Sequence, residues 1–375
     1  MKIIVLGAGR MGRAITYDLS KYSSFDNIAI ADRDRNSLQD SKKFLDNEEI
    51  EFCILDVEKK DDLKNFFKEY DIVISATPYK YNFYLAKIAI ETKTHFLDLG
   101  SNDTILEKER NLHQNAKKKG VTIIPDCGLA PGLTSIITHD IVEQMDYVDY
   151  VKLRVGGLPA NPKPPLNYQI VFSPYALIDG YINDAIVLNH GKIIKKKSMS
   201  EIEEIIFPKP FGKMEAFITS GGCSTLPYTY RHKIGYLDYK TVRYPGHCEK
   251  FKSLICPRNK KNLNEETMVN SILEYVSTEG KDVVLLKVFS KGTKYDKKIR
   301  FEYSIVDYYD EKHDITAMMR MTGFPASITA QMIQRGIINK YGVYCPEEIV
   351  QCKIFFEKLK KRNIKIQKDV LNDHN

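Results

Sequence analysis

The chain has no tryptophan, no Cys-x-x-Cys pair and no uninterrupted apolar run of membrane-spanning length. The last absence argues against a transmembrane helix, which needs about 20 consecutive apolar residues. Seven cysteines, at 53, 127, 223, 248, 256, 345 and 352, make an odd count without paired knuckles, which argues against a closed disulfide set and against structural zinc. Cys223, His247, Cys248 and Cys256 are the one grouping worth testing around a metal; their spacing is wrong, and no metal is expected. Aromatic packing falls to 17 Phe and 23 Tyr. Charge of one sign is also scarce, at a net +7 over 375 residues. The Lys-rich run at 195–197 reads as a solvated hairpin, and no basic tract is interleaved with aromatics, so no nucleic-acid partner is expected. Met1 and Lys2 lead straight into the strand-like Ile3-Ile4-Val5-Leu6, without the length of a secretory signal, which gives the expectation of a cytoplasmic protein.

What is present is globular: 43% apolar residues, in a chain longer than one core usually supports, so two domains are expected. The opening "MKIIVLGAGRMGRAITYDLSKY" is an apolar strand, a Gly7-x-Gly9-x-x-Gly12 turn and a helix. The first glycine allows the tight turn, the second clears the path of a pyrophosphate, and the third lets helix and strand pack closely. Arg10 and Met11 lie at the helix start that offers N–H groups to phosphates. "NIAIADRD" is a second strand ending at Asp32, whose carboxylate suits the adenosine ribose hydroxyls and repels a 2′-phosphate, favouring NAD over NADP. Arg33 either stacks on adenine or pairs with such a phosphate. Asp56 ends a third strand and either meets the adenine edge or caps the next helix. "YDIVISATPYKYN" places Ala76, Thr77 and Pro78 beside the expected dinucleotide. "THFLDLGSND" and "VTIIPDCGLAPG" supply two more strand ends, and the series predicts a largely parallel sheet with ligand beyond one edge. Asp126 stands where the nicotinamide half arrives, with Gly128 behind it; its carboxylate either serves the chemistry or caps the turn.

Beyond residue 133 the rhythm changes to longer strands and a Pro-rich loop at 158–165. "YKTVRYPGHCEKFKSLI" sets Arg243 and His247 around a Pro-Gly turn, the first suited to a carboxylate and the second to carrying a proton near neutral pH. Tyr168, Tyr230, Arg231 and Lys233 are weaker substrate candidates. "VVLLKVFSKGTKYDKKIRFEYSIVDYY" predicts a hairpin with Lys291-Gly292 in its turn region, within an open mixed or antiparallel sheet able to bury a partner's sheet. The expected domains are a Rossmann-type domain over 1–130, a second α/β substrate and dimerisation domain over 131–322, and helices over 323–375 that return to complete the first.

Taken together, "VLGAGRMGRAI", "PDCGLAPGLTSI", "VGGLPANPKPPLNYQIVFSP", "VRYPGHCEKFK" and "TGFPASITAQM" resemble the saccharopine dehydrogenase superfamily, and most closely its lysine 6-dehydrogenase-like branch. Where such members often carry Trp, this chain has Phe172 and Tyr244. The resemblance implies a homodimeric oxidoreductase acting at a carbon bearing an amine, with Gly7, Gly9 and Gly12 at the pyrophosphate, Asp32 at the ribose, and Asp126 and Gly128 facing nicotinamide and substrate. Arg243, Gly246 and His247 match the Arg-x-Pro-Gly-His segment of the lysine dehydrogenase-like members.

These readings lead to the expectation of an NAD-dependent dehydrogenase of an amino-acid side-chain amine. For L-lysine the product is 2-aminoadipate 6-semialdehyde, which cyclises to 1-piperideine-6-carboxylate. Asp126 or His247 would take the proton, and Arg243, with Tyr168 and Arg231, would hold the substrate. One alternative is a reductase or dehydrogenase of a secondary amine such as saccharopine or a carboxylated polyamine (carboxynorspermidine), with Arg231 or Lys233 as a further anchor. Another is a dinucleotide-binding redox sensor without turnover.

Overall fold

The computed structural model describes residues 1–100, 102–255 and 265–372. It divides into two compact units: residues 1–136 with 319–363, and residues 137–318 with the C-terminal segment from Ile364.

The first unit is built on seven parallel strands in the order Gly342–Val343, Thr122–Ile124, His95–Asp98, Ile72–Ser75, Lys2–Leu6, Asn27–Asp32, Ile50–Ile54. Ile3, Ile4, Val5 and Leu6 are fully buried, as a parallel strand covered on both faces must be. The chain begins in the middle of the sheet, winds outward through two strands, then restarts on the other side of the first. That reversal, between Lys2–Leu6 and Ile72–Ser75, opens a crevice beyond the carboxyl ends of the strands, the place where such sheets bind ligand. The C-terminal helix residues pack closely on the first helix, Arg10–Tyr22: a Cβ on Gly323 would lie 2.9 Å from the Ala14 Cβ. Asp18, buried in that helix, accepts from Ser327 Oγ at 2.6 Å and from Arg362 Nε and Nη2 at 2.6 and 2.7 Å.

The second unit holds a nine-stranded mixed sheet. Its main path runs Glu203–Phe207, Gly212–Ile218, Ile234–Arg243, Tyr147–Pro159, Asp282–Lys294, Lys297–Tyr308, Gln367–Asn372, with Ala185–Asn189 and Lys192–Lys196 as a side ribbon. Ile234–Arg243 runs parallel to Tyr147–Pro159; the other pairings are antiparallel. Two details differ from the sequence-based expectation. The hairpin turns at Tyr295 and Asp296, both with positive φ (49° and 61°), the geometry that matches the twist of a two-residue loop. Gly292 instead sits within a strand at a register shift, where a Cβ would lie 2.4 Å from the Tyr147 carbonyl oxygen, so it marks a bulge. The segment from Ile364 joins this unit rather than the first, because Gln367–Asn372 pairs with the otherwise open edge of Lys297–Tyr308.

Candidate functional site

In the first unit the glycine turn is tightly built. A Cβ on Gly12 would lie 1.7 Å from the Gly7 carbonyl oxygen, so the helix closes on the turn only with glycine there. A Cβ on Gly9 would meet no protein atom within 4 Å, and the helix starting at Arg10 has no side-chain cap at Gly9. The turn therefore leaves room beside Gly9 and turns the helix start, Arg10 and Met11, toward it, which fits a pyrophosphate. Asp32 ties this turn to the second strand: Oδ2 accepts from the Ala8 N–H at 2.7 Å and Oδ1 from the Asp34 N–H at 2.9 Å. Arg33 is exposed, 3.6 Å from Glu58. Asp56 accepts from the Glu58 N–H at 3.0 Å and so forms a turn; it does not cap the next helix, Lys60–Phe67, whose N-cap position is Lys59. The Ala76 N–H donates to the Leu6 carbonyl at 2.8 Å, the Thr77 hydroxyl meets that of Ser75 at 2.9 Å, and Pro78 opens a single 3-10 turn. All of these residues stand at the carboxyl edge of the sheet.

Asp126 follows the strand Thr122–Ile124 at that same edge. It is 2% exposed and left-handed, with φ of +63°. Its N–H donates to Asp98 Oδ1 at 3.3 Å, which also accepts from the Gly100 N–H at 2.7 Å. Gly100 must be glycine, since a Cβ there would fall 1.8 Å from Asp126 Oδ1. The Gly128 carbonyl accepts from the Leu133 N–H at 2.9 Å and so closes the turn behind Asp126. A residue that sequence reasoning missed, Glu109, is buried near Asp98 and Asp126. It lies in "DTILEKERNLH", where charged residues surround it; the one available signal is its position three after the buried Leu106, on the same helix face.

In the second unit Arg243 ends its strand and is 2% exposed. Its Nε donates to the Tyr181 hydroxyl at 2.9 Å and Nη1 to the Val242 carbonyl at 2.8 Å, while the guanidinium carbon sits 4.6 Å over the buried Tyr168 ring. No described carboxylate pairs with it. The Tyr181 hydroxyl meets His247 Nε2 at 3.2 Å, and His247 Nδ1 meets the Leu166 carbonyl at 2.9 Å. A carbonyl only accepts, so Nδ1 carries the hydrogen and Nε2 accepts the tyrosine proton. Burial, reinforced by Arg243, lowers the His247 pKa to about 3. The residue expected to carry a proton near neutral pH is thus neutral there, with both nitrogens engaged. Glu215 fixes the preceding turn by accepting from the N–H groups of Gly246 at 2.7 Å and Cys248 at 2.6 Å.

Arg231 does not join this group. It is exposed, bonded through Nε to His232 at 2.9 Å, and precedes the strand Ile234–Arg243 that Arg243 ends. At roughly 3.3 Å per residue the strand alone separates them by about 30 Å, so the two cannot grip one small substrate. Lys233 is exposed at the same distant end. Tyr230 is directed elsewhere, its hydroxyl meeting His139 Nδ1 at 2.8 Å. Among the described residues no group of three or more His, Cys, Asp or Glu is arranged to hold a metal, and no helix is long and apolar enough to cross a membrane. Cys223 and Cys248 are buried and joined in no disulfide, and Cys256 lies outside the described residues.

Comparison with known proteins adds to this geometry. Residues 3–124 match the saccharopine dehydrogenase NADP binding domain and residues 128–364 the saccharopine dehydrogenase C-terminal domain. The chain is 26% identical over 204 residues to the mitochondrial alpha-aminoadipic semialdehyde synthase of Rattus norvegicus, a match covering 52% of this chain and 21% of that relative. It therefore aligns with only about a fifth of that longer protein. It is 21% identical over 461 residues to a saccharopine dehydrogenase (NADP(+), L-glutamate-forming) of Schizosaccharomyces pombe, covering 99% of each chain. The apo saccharopine dehydrogenase (L-Glu forming) of Saccharomyces cerevisiae shares its fold, with a TM-score of 0.80 at 19% identity over 99% of both chains. With the glycine turn, the parallel sheet and both matched domains in place, the chain belongs to the saccharopine dehydrogenase family of NAD(P)-dependent oxidoreductases.

Proposed function

We propose that the chain acts at the C–N bond of a carboxylated secondary amine of the saccharopine type. The observation that carries this reading is Arg243, a buried guanidinium held by a hydroxyl, a carbonyl and an aromatic face with no described carboxylate beside it. A buried cation without a counter-charge costs several kcal/mol, and a substrate carboxylate bound through the planar fork offsets that cost. The names of the matched relatives support saccharopine over the primary amine of lysine.

When bound, the dinucleotide accepts a hydride from the C–H beside the amine nitrogen. The nitrogen loses its proton and the C–N bond becomes an imine; water then adds to the imine carbon and the bond breaks, releasing an amine and a carbonyl compound. The reverse sequence joins the two. Asp126 accepts the proton given up by the nitrogen or by water. Arg243 holds a substrate carboxylate, and Tyr168, Tyr181 and His247 hold Arg243. Gly7, Gly9, Arg10, Met11, Gly12, Ala76, Thr77, Pro78 and Gly128 form the dinucleotide side. The NADP(+) in a relative's name and the exposed Arg33 support NADP. Asp32 supports NAD, and we place NAD first because that carboxylate is fixed by two backbone N–H groups whereas Arg33 lies exposed beside Glu58. A homodimer belongs to the same proposal and is checked by light scattering.

The test is a panel of saccharopine, a carboxylated polyamine and L-lysine, each with NAD and with NADP, followed by reduced-nicotinamide absorbance. Turnover with saccharopine or the polyamine supports the proposal. Turnover with L-lysine alone overturns the substrate class in favour of a lysine 6-dehydrogenase, and dinucleotide binding without turnover on any amine moves the assignment to a redox sensor.

A further inference from the structure

Three carboxyl groups come together around the Asp126 turn, all within the first unit. Asp98 ends the strand His95–Asp98, Glu109 belongs to the helix Asp103–Arg110, and Asp126 follows Thr122–Ile124. All three are at least 98% buried. Asp98 Oδ1 has its two donors, the N–H groups of Gly100 and Asp126. Asp98 Oδ2 and Glu109 Oε1 are buried too, yet neither receives an N–H or O–H. The two carboxyls are nevertheless hydrogen-bonding neighbours. Two ionised carboxylates hold no donor between them, so both oxygens would stay unsatisfied and both charges uncompensated. One proton removes both faults: it supplies the missing O–H and cancels one of the two charges.

We propose that Asp98 and Glu109 share one proton, and that this buried O–H···O bond positions Asp126. Asp98 is the link, because it accepts from the backbone N–H of Asp126 and from that of the residue packed against the Asp126 carboxylate. It holds the N–H of Asp126 itself, a non-glycine residue kept in the left-handed region, and the N–H of Gly100, whose α-carbon packs against Asp126 Oδ1. Glu109 is a positioning residue that acts through Asp98. The groups facing the pair from other elements leave the proton as its compensation. Asn82, at the start of the helix Asn82–Thr92, is a hydrogen-bonding neighbour of Asp98 that lowers its pKa but brings no charge, and its Oδ1 is engaged by the Ser75 hydroxyl at 2.9 Å. The Cys127 thiol, pushed well up by burial and then by Asp98 and Asp126, stays neutral. No described Lys, Arg or His forms an ion pair with either acid. Burial raises both carboxyls, and the charges of Asp98 and Asp126 add to the rise of Glu109. The folded chain therefore keeps a proton that the unfolded chain releases above the ordinary carboxylate range near pH 4, and the pair's contribution to stability falls as pH rises through the raised folded range.

Infrared titration of the full chain tests the proton directly. A protonated-carboxyl band is expected at neutral pH, disappearing as pH rises, and Glu109→Gln is expected to lack it because the amide N–H donates to Asp98 at every pH. Asp98→Asn, which offers its own N–H to Glu109, is the second variant should the first fail to fold. Protection of the Gly100 and Asp126 amides from exchange, taken relative to the intrinsic base-catalysed rate at each pH, reads the positioning: about tenfold lower after deprotonation in the natural chain, and unchanged over that pH step in Glu109→Gln. Absence of the band at neutral pH, or its survival in both variants, overturns the shared proton; exchange that ignores deprotonation overturns the positioning. The importance of holding Asp126 rests on the proposed function, yet both readouts are made without substrate. A band and protected amides in a chain that turns over no amine support the pair and count only against the functional reading.

Discussion

Arg154 and Arg243 stand on neighbouring strands of the second unit, both buried, and differ in their company. Arg154 Nη1 and Nη2 reach Asp238 Oδ1 and Oδ2 at 2.7 and 3.2 Å, and its Nε reaches Glu203, which Lys240 joins at 3.0 Å. Among the described residues Arg243 meets no carboxylate; its company is the Tyr181 hydroxyl and ring, the Val242 carbonyl and the Tyr168 ring. The first is an arginine whose charge is closed off within the fold. The second has no described carboxylate to close off its charge, which is what the proposed substrate role requires, and burial alone does not tell the two apart.

The largest expected effect breaks the closed case. Arg154→Met leaves Asp238 as an uncompensated buried carboxylate and is expected to cost about 3–5 kcal/mol in urea unfolding; a loss below about 1 kcal/mol would erase the distinction. Arg243→Met strands no carboxylate, so its cost in stability is expected to stay near 1 kcal/mol. Its effect appears in binding: KM for the carboxylated amine is expected to rise about 100-fold, roughly 2.7 kcal/mol, with dinucleotide affinity unchanged. A stability loss matching that of Arg154→Met, without a change in KM, would make Arg243 structural as well.

The smallest effect sharpens the comparison through pH. His247, beside Arg243, has a folded pKa of about 3, below its unfolded value near 6.5. Its contribution is complete above about pH 6.5 and is lost as pH falls toward 3, at up to roughly 1.4 kcal/mol per unit. On the Arg154 side burial opposes the shift of Glu203, but Arg154 and Lys240 bring its pKa below the usual carboxylate value. That contribution starts to fade only once pH drops below about 4.3. The Arg243 neighbourhood is therefore expected to respond first on acidification. Unfolding measured between pH 7 and 4 should show a slope that His247→Gln removes; an unchanged slope would place the sensitivity elsewhere.

Much of the dinucleotide side was legible because its logic is local. Gly7, Gly9 and Gly12 lie within one turn, and Asp32 closes the next strand at the spacing such a unit requires. The substrate side was legible only in part. Arg243 and His247 were read as neighbours and do meet, through Tyr181, a residue 62 positions from Arg243 that no local pattern marks. Arg231 was a candidate further anchor as a cation suited to a second carboxylate, yet the extended strand between it and Arg243 turns 12 residues of sequence into the length of a sheet. Glu109 went unnoticed because a helix rich in charge does not announce which acid faces inward.

The alternation of strands and helices in the first unit, the glycine turn and the acid at the second strand end were determined by the sequence itself, since apolar runs, turn residues and spacings act over a few residues. The tertiary structure alone decided that His247 is neutral, that Arg243 has no described carboxylate beside it, and that Asp98 and Glu109 lie side by side. Those properties depend on desolvation and on partners drawn from distant segments, and the environment that sets them exists only once the chain has folded.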